Sequence, residues 1–473
     1  MTVLDDPGRS VTEVVPTSEM RGKTRGRIQI GADDPSLTGA GGMLAVTELC
    51  GKLGLIGALD AGMGPVKQRR RGFTGGQVLA GMAAAQLAGE DFLVGLDRVR
   101  ADAAGQLLVP VPGLATSTAT GIARRFTQQH WRGAEAGLAA ATARMAGLLP
   151  GERAAELAEG PVTIDIDATD VEVYGSKKRG VAYTYAGQRA GRPHVASWAE
   201  TEIPLAADLL SGDQDPRSHV TGLLGRALTA LPRAVREGAA AAGRKIALRA
   251  DAGYFAGELA RVAAKEDMAF AIGAKRIGSM WNALAGIGED AWRDATGMDD
   301  AQVAVSPYQP ADWPQDTVLL IRRVKLDPDQ VSADPRSRRR RTLHPDQRAM
   351  LFPELAAEPA IYAYSFICTN LDCSTPSKAA AVEHWYRHRT SVENIFRDSK
   401  HGAALRHLPS GCPEINTAWM WASLIATAIA AWLHQLTGLI IGGELVEGHG
   451  VRGGKAMIAT LRRRLIAVPA RLV

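Results

Sequence analysis

Apolar and polar positions follow two rhythms along the chain. From about residue 40 to 155 the spacing is helical: Leu44, Leu49, Leu53 and Ile56 recur on one face, as do Val78, Met82, Leu87 and Leu93. At Pro161 the period drops to two, and Val162-Thr163-Ile164-Asp165-Ile166-Asp167 alternates as a half-buried strand does. Tyr183–Tyr185 and His194–Trp198 read as further strands, residues 217–231 as a helix, and Lys245–Ala250 as a strand that ends on Asp251. A helix over 255–266 and a strand over 268–273 follow. Strands interleaved with helices predict an α/β sheet. Residues 275–370 are rich in Pro and Trp, with short strands at Thr317–Val324 and Ile361–Thr369, and read as a mainly β insertion. Two long helices, 376–401 and 415–437, come after it. Upstream, the hydroxyl run Thr116–Thr120 can cap a helix and would place Arg124 and Arg125 near its start. That helix could be the second of a helix-turn-helix, although a plain capped helix fits the same residues.

Length and composition narrow the class. A chain of 473 residues predicts about three domains. The formal net charge of +5 is too small to identify a polyanionic partner, so local clusters matter more than the total. The run Arg21, Lys23, Arg25, Arg27 lies in a polar arm that either touches phosphates or is a disordered tail. Lys67, Arg69, Arg70 and Arg71 fit a solvated loop, and a second basic run spans Arg336 to Arg341. Four cysteines form no disulfide framework and point to a reducing, cytoplasmic setting. Cys368 and Cys373 lack the second pair that a structural zinc site needs. Residues 1–16 carry no apolar run of the kind that opens a signal peptide. Thr417–Leu433 has no charge, but a spanning helix needs about 20 apolar residues. We read it as a buried core helix, with no membrane partner.

The segment richest in chemistry is Trp385-Tyr386-Arg387-His388-Arg389-Thr390-Ser391-Val392-Glu393-Asn394-Ile395-Phe396-Arg397-Asp398-Ser399-Lys400. On a helix turning about 100° per residue with Tyr386 at the origin, Arg389 falls at about −60°, Glu393 at about −20°, Arg397 at about +20° and Lys400 at about −40°. One stripe would then hold an aromatic ring, three cations and one carboxylate. A solvated face mixes acids with bases along its length. A single hard oxygen donor among cations suits a place where a metal meets a phosphate. His384 and His388 also lie four apart, but the residues between them lack the Glu of a zinc protease helix.

Tyr386, Arg389, Glu393 and Lys400, with gaps of two, three and six residues, resemble the Y-R-E-K signature of DDE transposases from bacterial insertion sequences. The resemblance implies a ribonuclease-H-like catalytic core in which Glu393 is the third catalytic carboxylate. It also implies two upstream aspartates on strands. Asp165 and Asp167 share one face of the first strand, and Asp167 better fits the family's D-x-T form; Asp251 fits the second position. The layout, with Asp-Ala-Thr-Asp on the first strand, is most similar to insertion sequence family thirteen-eighty. Tyr183-Thr184-Tyr185-Ala186-Gly187 departs from the Gly-Tyr-Tyr-Gly segment usual there.

What the resemblance implies is an α/β, ribonuclease-H-like core (156–274 and 371–440) with a mainly β insertion (275–370). A flexible arm (1–35) and a helical DNA-end-binding domain (36–155) precede it, and a tail (441–473) follows. The expected activity is metal-dependent cleavage at transposon ends and joining of the 3′-OH to target DNA. The implied cofactor is Mg²⁺, or Mn²⁺ in its place, held by Asp167, Asp251 and Glu393. The implied partner is double-stranded DNA, bound by a homodimer through Tyr386, Arg389, Arg397 and Lys400, with Arg124 and Arg125 added from the helical region. In such enzymes aromatic residues of the insertion can hold a flipped base; Trp281, Trp292 and Trp313 are available for that or for the core. Two other functions fit the same fold: a domesticated DNA-binding protein that no longer cuts, and a nuclease without strand transfer.

Overall fold

The computed structural model describes residues 34–68, 71–437 and 455–473, together with four short strands, Val11–Thr12, Ile30–Gly31, Leu439–Ile441 and Glu444–Val446. The basic run from Arg21 to Arg27 lies outside the described residues, as do Arg69 and Arg70.

Helical periodicity before residue 160 becomes α1 (Met43–Lys52), α2 (Leu55–Met63), α3 (Gly75–Ala88), α4 (Gly95–Ala101), α5 (Thr116–Ala123), α6 (Gln128–Leu148) and α7 (Gly151–Glu159). Thr74 and Gln77 close a capping box at the start of α3, which satisfies backbone N–H groups that a helix end leaves free. Helices α2 and α6 pack backbone to backbone, because a Cβ on Gly133 would lie 2.3 Å from the Gly62 carbonyl oxygen. The hydroxyl run forms α5 itself rather than preceding it. Arg124 and Arg125 therefore sit in the turn between α5 and α6, both exposed, at the end of α5 rather than near its start.

The sheet has eleven strands. They are β1 (Thr163–Ala168), β2 (Val171–Glu172), β3 (Ala182–Tyr183), β4 (Arg189–Trp198), β5 (Ile203–Ser211), β6 (Ala247–Ala250), β7 (Ala269–Ala274), β8 (Arg293–Asp294), β9 (Ala301–Ser306), β10 (Val318–Leu326) and β11 (Ile361–Thr369). Its order is β8-β9-β10-β11-β7-β6-β1-β4-β2, and β4 also pairs with β3 and β5. The pairs β1–β6 and β6–β7 are parallel; the others are antiparallel. The parallel pair β1–β6 is made possible by a crossover through α8 (Val220–Ala230) and α9 (Arg233–Ala241), and β6–β7 by α10 (Gly257–Lys265). Those helices bury Leu223, Leu224, Val235 and Leu259 against Ile164, Ile166, Leu248 and Phe270.

Segment 275–370 contributes β8 to β11, which extend the same sheet from the edge of β7. Trp281, on α11 (Gly278–Ala285), meets Phe366 edge to face within its core, and Trp292 is buried there too. Strand β5 lacks an alternating pattern because both of its faces are covered, one by α8 and the other by the last long helix.

The expected helix over 376–401 is two helices, α12 (Pro376–Arg387) and α13 (Thr390–His401), broken at His388 and Arg389. Arg389 takes φ −74° and ψ +40°, outside the helical basin. At the break Arg389 bonds to Asp167 and Ser391 to Asp165, and Thr390 and Ser391 favour a helix less than most residues do. The final helix, α14 (Pro413–Thr437), is long and apolar enough to cross a membrane, yet 94% of its most apolar window is buried in the protein. It packs against α3 and β5, so the N-terminal helices share one core with it. Residues 455–473 return to the N-terminal region: Ala470–Arg471 pairs with Leu37–Thr38, and Arg462 donates to the carbonyls of Gln86 and Leu87.

Candidate active site

Parallel pairing of β1 with β6 sets Asp165 opposite Arg249. Two residues further along each strand are Asp167 and Asp251, on the same face by strand alternation. Neighbouring strands lie about 5 Å apart, so the two aspartates leave the sheet side by side at its carboxyl edge. Asp251 closes a turn by accepting from the Gly253 N–H at 2.8 Å. Asp167 accepts from its neighbour, the Ala168 N–H, at 2.8 Å. Both line an open cleft of about 480 Å³ together with Asp170, Arg192, Tyr254 and Lys275.

Asp165 and Asp167 have separate surroundings. Asp165 is fully buried and is gripped by the Arg249 fork at 2.7 and 2.9 Å, with the Ser391 hydroxyl as a further donor. Arg249 in turn donates to the Trp385 carbonyl at 2.6 Å and lies over the Trp385 ring. Asp167 faces the cleft, and its carboxyl is pushed up to about 6, first by burial and then by the charge of Asp251. Arg389 opposes that rise from 3.2 Å. Burial disfavours the Arg389 charge, but Asp167 and its neighbours hold the guanidinium above its ordinary range.

The helix break orients α13 along β1. Arg389 caps its start over Asp167, Ser391 reaches Asp165, and Lys400 donates to Thr169 Oγ1 at 2.7 Å and to the Asp170 carbonyl at 2.9 Å. Arg389 and Lys400 are thus engaged with the end of β1 rather than with Asp398. Asp398 is buried and paired with Lys455 at 2.8 Å, and it accepts from the Ile458 N–H. Tyr386, at the end of α12, donates to the Ala250 carbonyl at 3.2 Å beside Asp251, and burial pushes its phenol up to about 12. Arg397 is exposed and donates to Asn394 Oδ1 at 2.7 Å. The rings of His384 and His388 lie 4.1 Å apart, tilted by 43°, and belong to no cluster of three metal-ligating side chains among the described residues.

Glu393 lies exposed in the first turn of α13, without a hydrogen-bond or ion-pair partner among the described residues. It is not among the charges that shift Asp167, and no three His, Cys, Asp or Glu side chains cluster as a metal site among the described residues. The structure therefore brings Asp167 and Asp251 together, with Arg389, Tyr386 and Lys400 bonded to the ends of the two strands that carry them, and does not gather Glu393 with them into a metal cluster among the described residues. Arg249, Ser391 and Lys455 were not legible as partners, because an isolated basic or hydroxyl residue carries no sign of which distant acid it will meet.

A family model described as transposase DDE domain group 1 matches residues 20–333, a span that holds Asp167 and Asp251 and ends before Glu393. No curated protein matches the chain. Among solved structures, a piggyBac transposase synaptic complex with hairpin DNA aligns over 85% of this chain and 80% of that one, at 10% identity and a TM-score of 0.36. That likeness is too slight to carry fold or function.

Proposed function

Because the chain belongs to the family of transposase DDE domains, group 1, we propose that it is the transposase of a bacterial insertion sequence and that Asp167, Asp251 and Glu393 are its catalytic acids. The observation that carries this reading is the pair Asp167 and Asp251 at the ends of two adjacent parallel strands, facing one cleft. The order β5-β4-β1-β6-β7, antiparallel then parallel, supports a ribonuclease-H-like core. The four positions Tyr386, Arg389, Glu393 and Lys400 support an insertion-sequence enzyme with the Y-R-E-K signature, most like family thirteen-eighty.

Asp167 and Asp251 offer the carboxylate oxygens that a hard divalent cation such as Mg²⁺ or Mn²⁺ takes, and Glu393 is assigned to them by the motif rather than by proximity. Asp167 is a desolvated carboxylate next to a second acid, and Glu393 is an unpaired one nearby in the motif. When bound, a pair of such ions would supply Lewis acidity toward the attacking oxygen and the leaving 3′ oxygen. The chain's own residues then position these acids. Arg389 fixes the orientation of Asp167, Tyr386 holds the end of β6 beside Asp251, and Lys400 clamps the turn after β1. Exposed Arg397, Arg124 and Arg125 are assigned to phosphates of the transposon end, with a homodimer holding the paired ends.

The test is a plasmid carrying the terminal repeats that flank the gene, incubated with purified protein and Mg²⁺. Wild type should nick the ends and join them to target DNA. Glu393→Gln should bind end DNA and cut nothing, since it keeps the size of the side chain but loses its charge. Cleavage by Glu393→Gln would overturn the assignment. Binding without cleavage by wild type would favour the domesticated DNA-binding protein, and cleavage without joining would favour a plain nuclease.

A further inference from the structure

The basic run of the insertion folds back onto the sheet. Leu343 bridges to Ala363 of β11, and the Tyr364 N–H donates to the Thr342 carbonyl at 2.8 Å. Arg340 is buried and donates to the Arg348 and Met350 carbonyls at 2.9 and 2.7 Å, and Arg348 lies over the Trp281 ring of α11. This docking gathers Arg338, Arg341 and Arg348 with Arg276, which follows β7, and with Arg322 of β10. Arg276 is fixed by donating to the Tyr364 carbonyl at 3.0 Å. Burial, and after it the charges of the other four, hold the Arg276 guanidinium below its ordinary range.

The protein supplies too few acceptors for these donors. Glu383, the acid that reaches Arg322, is shared with Arg387. Within the run, Asp334 pairs with Arg336 and Asp346 faces His344. Arg276, Arg338, Arg341 and Arg348 have no ion-pair partner among the described residues. Nη1 of Arg340 and Nε of Arg348 are buried and meet no acceptor among those residues. Like charges held together repel, and a buried donor left unfilled is costly, so the arrangement favours an anionic partner that brings its own oxygens.

The cluster borders the acid cleft. Strands β1, β6 and β7 are parallel, so their carboxyl ends open on one edge of the sheet. Gly273 of β7 lies against the Asp251 turn, where a Cβ would come within 2.8 Å of the Ala252 nitrogen. Lys275 lines the cleft, and Arg276 is the next residue. Asp170, Asp213 and Asp215 also line the cleft, and Arg192 and Arg217 are already paired to two of them. A duplex carries one negative charge per about 1.7 Å of its axis, so those acids repel it and the insertion attracts it. Contacts to phosphate carry no sequence information. We propose that Arg276, Arg338, Arg341 and Arg348 form a binding site for the phosphates of duplex DNA of any sequence, and that this site leads the DNA flanking the cleaved bond away from the acid cleft across the insertion. The inference rests on the DNA-processing reading above. It adds a sequence-independent contact and the side of the cleft on which the duplex leaves.

The experiment measures binding of the full-length protein to a short blunt duplex of arbitrary sequence over a series of salt concentrations, without divalent cation so that nothing is cut. One variant combines Arg338→Gln with Arg341→Gln. A second, with the same loss of charge, combines Arg336→Gln with Arg339→Gln; these two residues lie on the same run but are not among the charges that bear on Arg276. The first variant should flatten the log–log salt slope by about 1.8, at roughly 0.9 per lost phosphate contact, while the second keeps the wild-type slope. Arg338→Lys with Arg341→Lys keeps the charge and should restore the slope; failure to do so would assign the loss to folding and count against the site. An unchanged slope in the first variant, or equal flattening in the second, would overturn the proposal. So would a polyglutamate peptide that binds as tightly as the duplex at the same salt, which would assign the cluster to an acidic protein segment. Because the readout is binding, it is separate from the plasmid assay: a flattened slope without any cleavage by wild type would sink the transposase reading alone, and cleavage with an unflattened slope would sink the arginine site alone.

Discussion

Replacing Asp165 or Asp167 by Asn makes the same chemical change at two positions on one strand face, and the structure predicts opposite consequences. Asp165 is fully buried and satisfies Arg249, whose side chain is 6% exposed. Asp165→Asn leaves that guanidinium in the interior without its counter-charge and weakens the Ser391 bond. Breaking a buried ion pair from one side costs about 3–5 kcal/mol. Asp167 is instead held in its ionised form against burial and against Asp251, with its carboxyl raised from 3.8 to about 6. At about 1.4 kcal/mol per pH unit, neutralising it relieves roughly 3 kcal/mol at neutral pH. That net figure already includes the opposing pull of Arg389, so Asp167→Asn should be at least as stable as wild type and yet cut no DNA. Urea denaturation followed by tryptophan fluorescence gives the stabilities, and nicking of a plasmid with the transposon ends gives the activity. A stable but inactive Asp165→Asn beside an active Asp167→Asn would refute the assignment of the buried acid to structure and the open one to catalysis.

Three further expectations follow from the packing and the charges. Burial raises the Glu135 carboxyl from 4.5 to about 7 against the pull of Arg226 and Arg132, so the folded protein holds that proton more tightly than the unfolded chain does. Its contribution is complete below about pH 4.5 and is lost as pH rises through 7; melting temperature against pH should flatten over this window in Glu135→Gln, and an unchanged profile would refute the shift. Lys455→Ala leaves Asp398 buried without its cation and should destabilise by about 3 kcal/mol or more, with earlier proteolysis of residues 455–473 than in wild type. Gly133→Ala puts a methyl group into the Gly62 backbone and should cost about 1–3 kcal/mol in denaturant melts, whereas Gly147→Ala, with open space around it, should not destabilise.

Some of this molecule is written locally and some is not. The strand at Thr163–Ala168 is legible because apolar and polar residue types alternate along it, and the crossover helix at 220–230 because its apolar stripe has the helical period. The β11 strand at Ile361–Thr369 has the bounds its residues suggest. The family shows in residues 20–333, a span that holds both aspartates, because residue types at fixed intervals are a property of the sequence alone; the Tyr386 to Lys400 spacing lies outside that span. Strand β5 is hidden because covering both faces erases the alternation. The break between α12 and α13 is hidden because helix propensity knows nothing of Asp165 and Asp167, which pull Ser391 and Arg389 from across the fold. The same distance separates the roles of two aspartates two residues apart. Alternation puts both on one face, and only the arrival of Arg249 from a strand more than eighty residues away decides that Asp165 is neutralised in the core while Asp167 opens on the cleft. Partner choice among charges depends on which elements become neighbours, and that is fixed by burying the apolar faces of the whole sheet, not by any segment read by itself.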